Sequence, residues 1–216
     1  MLRSATAATL AGIVGAATSG VARAQTILTP DAALDRLMMG NTRFVAGKLD
    51  SFDEDLTILK QNNVAAQEPF AAVLSCADSR VPVELVFDQS IGHVFVARVA
   101  GNVCTPEIIA SLEYGVAILG AAVIMVMGHS ACGAVTAAMA GKAAPGQISA
   151  LYAPIRQAVE QGGHDLEATT KANAQIQADL LRTASPLVAD FMDQGKLRVV
   201  AAYYDIGSGR VSLLDR

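Results

Sequence analysis

Three residues whose types can bind a transition metal follow two apolar stretches of the sequence. Cys76 ends the apolar run over residues 70–75, and His129 follows a second apolar run over residues 121–127. Cys132 comes three residues after His129, where a helix is expected to begin. Thiolate and imidazole donors in this mixture suit tetrahedral zinc, with a fourth position left for water or a carboxylate. The pattern predicts one zinc ion per chain, held by these three residues.

Each part of this pattern is weak when it is taken alone. A single histidine is usually a satisfied core or surface residue, and a single buried cysteine behaves as a small apolar side chain. The segment Cys76-Ala77-Asp78-Ser79-Arg80 adds a carboxylate and a guanidinium directly after the first candidate ligand. Asp78 could bind the metal or form a bidentate pair with Arg80, which is a strong contact in proteins. The same pair could also serve only to close the turn after the strand.

The elements that must position these residues can be read from the apolar pattern. Continuous apolar strands separated by helices predict an α/β fold, with a mainly parallel central sheet flanked by helices. Ligand-binding residues of such folds lie at the carboxyl ends of the strands, so Cys76 can join the other two if its strand is adjacent to theirs. The predicted strands cover residues 70–75, 93–99, 121–127, 198–204 and 211–214, and the predicted helices cover 30–46, 83–87, 107–119, 132–140, 148–161 and 167–182.

Composition narrows the class of protein. The chain has 216 residues, of which 52% are apolar and 17% charged, with a formal net charge of −4. These values exclude a disordered chain, and without any block of basic residues a nucleic-acid partner is not expected. Residues 45–68 are mostly polar and predict a loop with a short helix.

The first 24 residues differ from the rest of the chain. Arg3 is followed by a mildly apolar run that ends in Ala22-Arg23-Ala24, which is typical of a secretory signal cleaved after Ala24. We therefore expect residues 25–216 to form a single domain in the periplasm or outside the cell, without stable membrane insertion after cleavage. Three cysteines are an odd count, and Cys104 is the one without metal-site neighbours; it is expected to be a semi-buried small residue.

The combination of motifs resembles the β class of carbonic anhydrases. Members of that family carry Cys-x-Asp-Ser-Arg after one strand and His-x-x-Cys-Gly after another, and this chain has both in that order. The likeness extends over residues 30–214 and includes these segments: Ala33-Leu34, Gly40-Asn41, Arg43-Phe44, Arg80-Val81-Pro82, Phe95-Val96, Arg98, Ala100-Gly101-Asn102, Leu112-Glu113-Tyr114, Gly128-His129-Ser130, Tyr204-Asp205 and Gly209-Arg210-Val211.

This resemblance implies a substrate and a mechanism. Zinc held by Cys76, His129 and Cys132 would lower the pKa of its bound water, so that zinc-bound hydroxide adds to carbon dioxide and gives bicarbonate and a proton. Asp78, held by Arg80, would accept the hydrogen bond from that hydroxide and orient it. In a closed state, Asp78 would instead be the fourth zinc ligand.

Further positions resemble the branch of the family whose site stays open. Members with a bicarbonate-binding regulatory site carry Trp three residues before the first cysteine ligand, where this chain has Val73. The other branch has a glutamine nine residues before that cysteine, which donates a hydrogen bond to substrate across a dimer interface; Gln67 stands there, although an exposed loop amide is the alternative. Phe95 stands where that branch has a phenylalanine beside the substrate pocket, and Gly133 of the second motif is also expected at substrate.

The same residues leave two other functions open. One is hydrolysis of carbonyl sulfide or carbon disulfide on the same zinc scaffold, and the other is a non-catalytic zinc-binding protein. Asp78 and Arg80 argue against the latter, because a purely structural metal site has no need of them. The helix over residues 30–46 has no obvious partner within a compact domain, and similar proteins lay it over a second subunit. We therefore expect a homodimer or a higher homo-oligomer.

Overall fold

The computed structural model describes residues 28–51, 64 and 66–214. The predicted signal over residues 1–24 lies outside this range, and so does most of the polar stretch after the first helix. Within the described part, no helix is both long enough and apolar enough to cross a membrane.

A five-stranded sheet forms the centre of the molecule. It consists of β1 (Ala71–Ser75), β2 (Val94–Arg98), β3 (Val123–His129), β4 (Arg198–Asp205) and β5 (Arg210–Leu213), in the spatial order β2-β1-β3-β4-β5. The first four strands are parallel, and β5 is antiparallel to β4. This arrangement confirms the predicted α/β class with a mainly parallel sheet.

Helices cover both faces of this sheet. In β1, Ala71 and Val73 face one apolar cluster, while Ala72 and Leu74 face the other, as the two-residue period of a strand requires. Strands buried on both sides have no polar face, which is why the sequence shows apolar runs rather than alternation. The helices are α1 (Pro30–Val45), α2 (Val83–Val86), α3 (Pro106–Ala117), α4 (Gly133–Ala140), α5 (Tyr152–Gly162), α6 (Leu166–Ala184) and α7 (Pro186–Asp193).

The N-terminal helix α1 has a partner in its own chain, contrary to the argument from sequence. Ala33, Leu34 and Leu37 are buried in the same apolar cluster as Val73 of the sheet. The amide of Asn41, also buried, donates to the backbone oxygens of Val86 and Gly209 and accepts from the Val211 N–H. Packing of α1 on a second subunit therefore stays a prediction that its own-chain contacts do not require.

The helix α7 was not predicted. It begins at Ser185, whose hydroxyl accepts a hydrogen bond from the Val188 N–H, with Pro186 in the first turn. This Ser-Pro pair is a recognised helix-start signal. The helix is short and follows α6 directly. In the sequence, its apolar residues are therefore hard to separate from the helical pattern over residues 167–182.

Candidate metal centre

The parallel pairing of β1 with β3 brings the two metal-binding motifs to one edge of the sheet. Ser75 lies opposite Met127, so that the residues after each strand leave the sheet at the same end. Cys76 follows β1 directly, and His129 is the last residue of β3. The adjacency on which the sequence argument depended is therefore present.

A tight turn carries the chain from His129 to Cys132. Ala131 in this turn has a φ of 54°, a left-handed conformation that is strained for a residue with a side chain. Cys132 then occupies the N-cap position of α4. The strained turn thus directs the imidazole and the thiol of a four-residue segment to the same point.

The three side chains form a buried cluster. One potential ligand atom from each of Cys76, His129 and Cys132 lies within 4.8 Å of the other two. His129 Nδ1 is 2.9 Å from the Ser130 carbonyl oxygen, which can only accept, so Nδ1 carries the proton. The other ring nitrogen, Nε2, is buried and has no hydrogen-bond partner among the described residues. A buried ring nitrogen without a partner, beside two thiols, is what a zinc ion would satisfy.

The two thiols influence each other because they are so close. A hydrogen bond from Cys132 lowers the pKa of Cys76, with smaller contributions from His129 and from the Gly101 N–H, which is 3.3 Å from the sulfur. The pKa of Cys132 is raised by the same contact with Cys76 and by burial. The contact therefore favours a thiolate at Cys76, and a bound cation would favour the second thiolate as well.

Glycine is required at position 101 for its backbone and for its lack of a side chain. Its φ is 75°, and a Cβ there would lie 2.9 Å from Ile155 Cδ1. A side chain there would strain the backbone that presents its N–H to the Cys76 sulfur.

Asp78 and Arg80 form a bidentate pair at the edge of the cluster. Arg80 Nε lies 2.9 Å from Asp78 Oδ1, and Arg80 Nη2 lies 2.7 Å from Asp78 Oδ2. Arg80 Nη2 also donates to the carbonyl oxygen of the strained Ala131, at 3.2 Å. The Arg80 hydrogen bonds hold the pKa of Asp78 well below its usual range, so this carboxylate is ionised. Its Oδ2 is 3.9 Å from His129 Nε2, close to the position that a metal would occupy.

The predicted substrate residues do not all lie at this cluster. Gly133 is the exposed first residue of α4, and a Cβ built on it would meet nothing within 4 Å. Gln67 is exposed in the loop before β1. Phe95 lies on β2, with its ring against Gly115 and 6.3 Å from the ring of Tyr114. Within one chain, the structure therefore brings the three candidate metal ligands together with Asp78 and Arg80, but not with Gln67 or Phe95.

Arg98 is a residue whose part in the site was not foreseen. It is the last residue of β2, directly opposite Ser75, and its guanidinium donates to the carbonyl oxygens of Cys76 and Asp78. A basic residue at the end of a predicted strand next to β1 was the available signal. Cys104 lies apart from the cluster: it contacts Gln177, and burial raises the pKa of its thiol to about 12.

Known proteins that are similar in sequence to this chain are carbonic anhydrases. The carbonic anhydrase family model matches residues 71–211. Carbonic anhydrase 2 of Mycobacterium tuberculosis is 32% identical over 194 residues, which cover 86% of this chain and 93% of that protein. A carbonic anhydrase of Pseudomonas aeruginosa is 37% identical over 166 residues, covering 69% of this chain and 74% of that protein.

Solved structures of β-carbonic anhydrases are similar to this chain in fold. The β-carbonic anhydrase CafA of Aspergillus fumigatus has a TM-score of 0.67 at 26% identity, covering 84% of this chain and 90% of that one. A Coccomyxa β-carbonic anhydrase, solved with acetazolamide, has a TM-score of 0.66 at 26% identity, covering 85% and 86%. The chain belongs to the β class of the carbonic anhydrase family.

Proposed function

We propose that this enzyme catalyses the reversible hydration of carbon dioxide to bicarbonate and a proton, with one zinc ion held by Cys76, His129 and Cys132. The observation that carries the proposal is the Asp78–Arg80 pair set beside the buried cluster. A metal site that served only structure would not need an ionised carboxylate at its open side.

Each residue of the site has a definite task in this proposal. Zinc, when bound, supplies Lewis acidity that brings the pKa of a water molecule toward neutrality and so makes hydroxide available. Asp78 is an acceptor only, because it is ionised, and it orients the attacking hydroxyl group through one hydrogen bond. Arg80 holds that carboxylate by two bonds and anchors it to the Ala131 turn.

The donor set also sets the pH range of the reaction. Two thiolates from Cys76 and Cys132 reduce the effective positive charge at the site, so that the water is acidified less than it would be by neutral ligands. We therefore expect the hydration rate to rise from neutral to mildly alkaline pH.

Gln67 and Phe95 support a dimer of this chain. Neither lies at the cluster of its own chain, and both stand at substrate-pocket positions of the family branch that it resembles. Phe95 is half-buried on β2, which is an edge strand of the described sheet, next to the exposed Tyr114. The two β-carbonic anhydrases of Sordaria macrospora, similar in fold at 22% identity, are tetrameric. We propose at least a homodimer, in which these two residues approach the partner's site.

Export is the remaining part of the proposal. The sequence of residues 1–24 supports a signal cleaved after Ala24, which would place the enzyme in the periplasm or outside the cell. Mass spectrometry of the protein from a fractionated culture checks this, and a cell-associated chain that retains residues 1–24 would contradict it.

Stopped-flow carbon dioxide hydration on metal-analysed protein tests the function. We expect about one zinc per chain and a rate well above that of buffer. Asp78→Ala should lower turnover by about 100-fold or more while zinc stays bound. Asp31→Ala is the matched control, because it removes another Asp–Arg pair, that with Arg198, at an exposed site.

Two outcomes of this assay would contradict the proposal. Zinc-loaded protein without hydration between neutral and alkaline pH would exclude it, and the same sample would then be assayed with carbonyl sulfide and carbon disulfide. Loss of zinc from Asp78→Ala would mean that Asp78 is chiefly a ligand.

A further inference from the structure

The guanidinium of Arg98 holds the backbone of the loop that carries Cys76 and Asp78. Its Nε donates to the Cys76 carbonyl oxygen at 2.9 Å, and its Nη2 donates to the Asp78 carbonyl oxygen at 2.5 Å. These two carbonyl groups lie on either side of the exposed Ala77. One side chain from β2 therefore fixes the backbone at both the metal-binding residue and the carboxylate residue.

Two arginines divide the contacts of Asp78 between them. Arg80 takes the carboxylate, and Arg98 takes the main-chain oxygen, which also accepts from the Val81 N–H at 3.0 Å. The carboxylate is close to the cluster, since Oδ2 lies 3.9 Å from His129 Nε2. A small movement of the loop would therefore be enough to bring this carboxylate to the metal position.

We propose that Arg98 is a positioning residue, which holds the loop over residues 76–78 so that Asp78 stays on Arg80 and does not occupy the fourth ligand position. This inference rests on the proposed function, because it concerns how the same site stays open. The hydrogen bonds of Arg98 within the described part of the chain go to main-chain oxygens, not to the ligand side chains or the Asp78 carboxylate. Its effect is exerted through two charge-assisted hydrogen bonds to the backbone, which are stronger than neutral ones.

The register of the sheet explains why this position can act in that way. Arg98 lies opposite Ser75, so its side chain leaves the sheet beside the residue that follows β1. The planar guanidinium presents several N–H groups in a fixed fork and can bind two carbonyl oxygens at once. A lysine has one ammonium on a flexible chain and would not hold both oxygens in the same geometry.

The test replaces Arg98 and reads the metal site directly. Arg98→Met keeps most of the aliphatic part of the side chain and removes all of its N–H donors, and Arg98→Lys keeps the charge. The full-length protein is prepared with zinc for kinetics and with cobalt(II) for absorption spectroscopy, with added thiocyanate as the probe for an open ligand position. We expect the wild-type cobalt spectrum to change with thiocyanate, and the Arg98→Met spectrum to respond at least about 10-fold more weakly.

The expected kinetics follow from the same movement of Asp78 from Arg80 to the fourth ligand position. Arg98→Met should retain one zinc per chain and lose about 10- to 100-fold in kcat/KM, and Arg98→Lys should lie between it and the wild type. The double variant Arg98→Met with Asp78→Asn should recover the thiocyanate response without recovering activity. A merely structural role for Arg98 would not be reversed by a second change that removes the carboxylate.

Arg182→Met is the matched control. Arg182 donates to the Val199 carbonyl oxygen at 2.6 Å, the same kind of bond at a strand away from the cluster. The Arg182→Met substitution should leave the cobalt spectrum unchanged. The proposal is overturned if Arg98→Met responds to thiocyanate like the wild type, or if the double variant does not recover. Failure of the proposed function would differ, because the wild type itself would not hydrate carbon dioxide.

Discussion

Two aspartate–arginine pairs in this molecule have opposite surroundings. Asp78 and Arg80 lie at the edge of the metal cluster, with side chains that are 17% and 50% exposed. Asp88 and Arg43 lie where α1 meets the segment after α2, and the Asp88 side chain is fully buried. Asp88 accepts hydrogen bonds from Arg43 and from the backbone N–H groups of Asp50 and Ser51.

The two pairs differ in the polar groups that surround the carboxylate. Burial would raise the pKa of Asp88, but the hydrogen bonds from Ser51, Arg43 and Asp50 outweigh it and lower the pKa to about 2. Asp88 is thus satisfied entirely by protein donors and serves the fold. The neighbours of Asp78 include a buried imidazole nitrogen without a partner, so the pair there faces an incomplete cluster. A carboxylate bonded on all sides within the fold indicates structure, whereas a pair beside a cluster of candidate metal ligands indicates a site.

The largest expected effect separates the cluster from other buried groups. Cys132→Ser removes one thiolate, so zinc should be lost on dialysis and hydration should fall by about 1,000-fold or more. Cys104→Ser is the matched control, because this thiol is also buried but donates to the backbone oxygen of Gln177, away from the cluster. Zinc analysis and stopped-flow assay measure both. Equal zinc loss in the two variants would break the distinction between a ligand and a buried thiol.

The second prediction contrasts the two carboxylates. Asp88→Asn should lower the free energy of unfolding by about 2 kcal/mol at neutral pH, because the ionised form is the one that the pair stabilises. Its activity per folded molecule should be that of the wild type. Asp78→Asn should lower kcat by about 100-fold and change stability by less than about 1 kcal/mol. Urea unfolding measures the stability of both variants, and the stopped-flow assay measures their activity. Loss of both stability and activity in each variant would contradict the prediction.

The smallest expected effect is the dependence of stability on acid. The pKa of Asp88 is lowered from 3.8 to about 2 by folding, so its contribution is complete above pH 4 and is lost as the pH falls toward 2. The stability difference between wild type and Asp88→Asn should therefore be constant near neutrality and vanish near pH 2. Urea unfolding at a series of pH values measures the difference, and a constant difference down to pH 2 would show that the charge of Asp88 is not its cause.

Much of the fold could be predicted because apolar runs and helix-start signals are local. The helix predicted over residues 30–46 agrees with α1 to within one residue, and the apolar run over residues 121–127 placed β3 to within two residues. The order of strands cannot be read from such runs. From the sequence, the adjacency of β1 and β3 could therefore be given only as a condition for the site. The structure shows that the two strands are adjacent.

The site was predictable to the extent that its residues occur in motifs. Cys76, His129, Cys132, Asp78 and Arg80 stand at recognisable spacings, and the structure brings them together. Arg98 and Asp88 were missed because their partners lie 20 to 45 residues away along the chain, at separations that no short motif reveals. Gln67 and Phe95 remain predictions, since their proposed place involves a second chain.

The pairing of β1 with β3 has a consequence for the order in which the protein assembles. His129 and Cys132 are neighbours along the chain and can chelate weakly in the unfolded state, whereas Cys76 reaches them only after two distant strands have paired. Tight capture of a metal by all three residues would thus be a late event, possible only after the sheet has formed in register. Zinc bound there would stabilise the folded chain by mass action, and its removal would lower the free energy of unfolding.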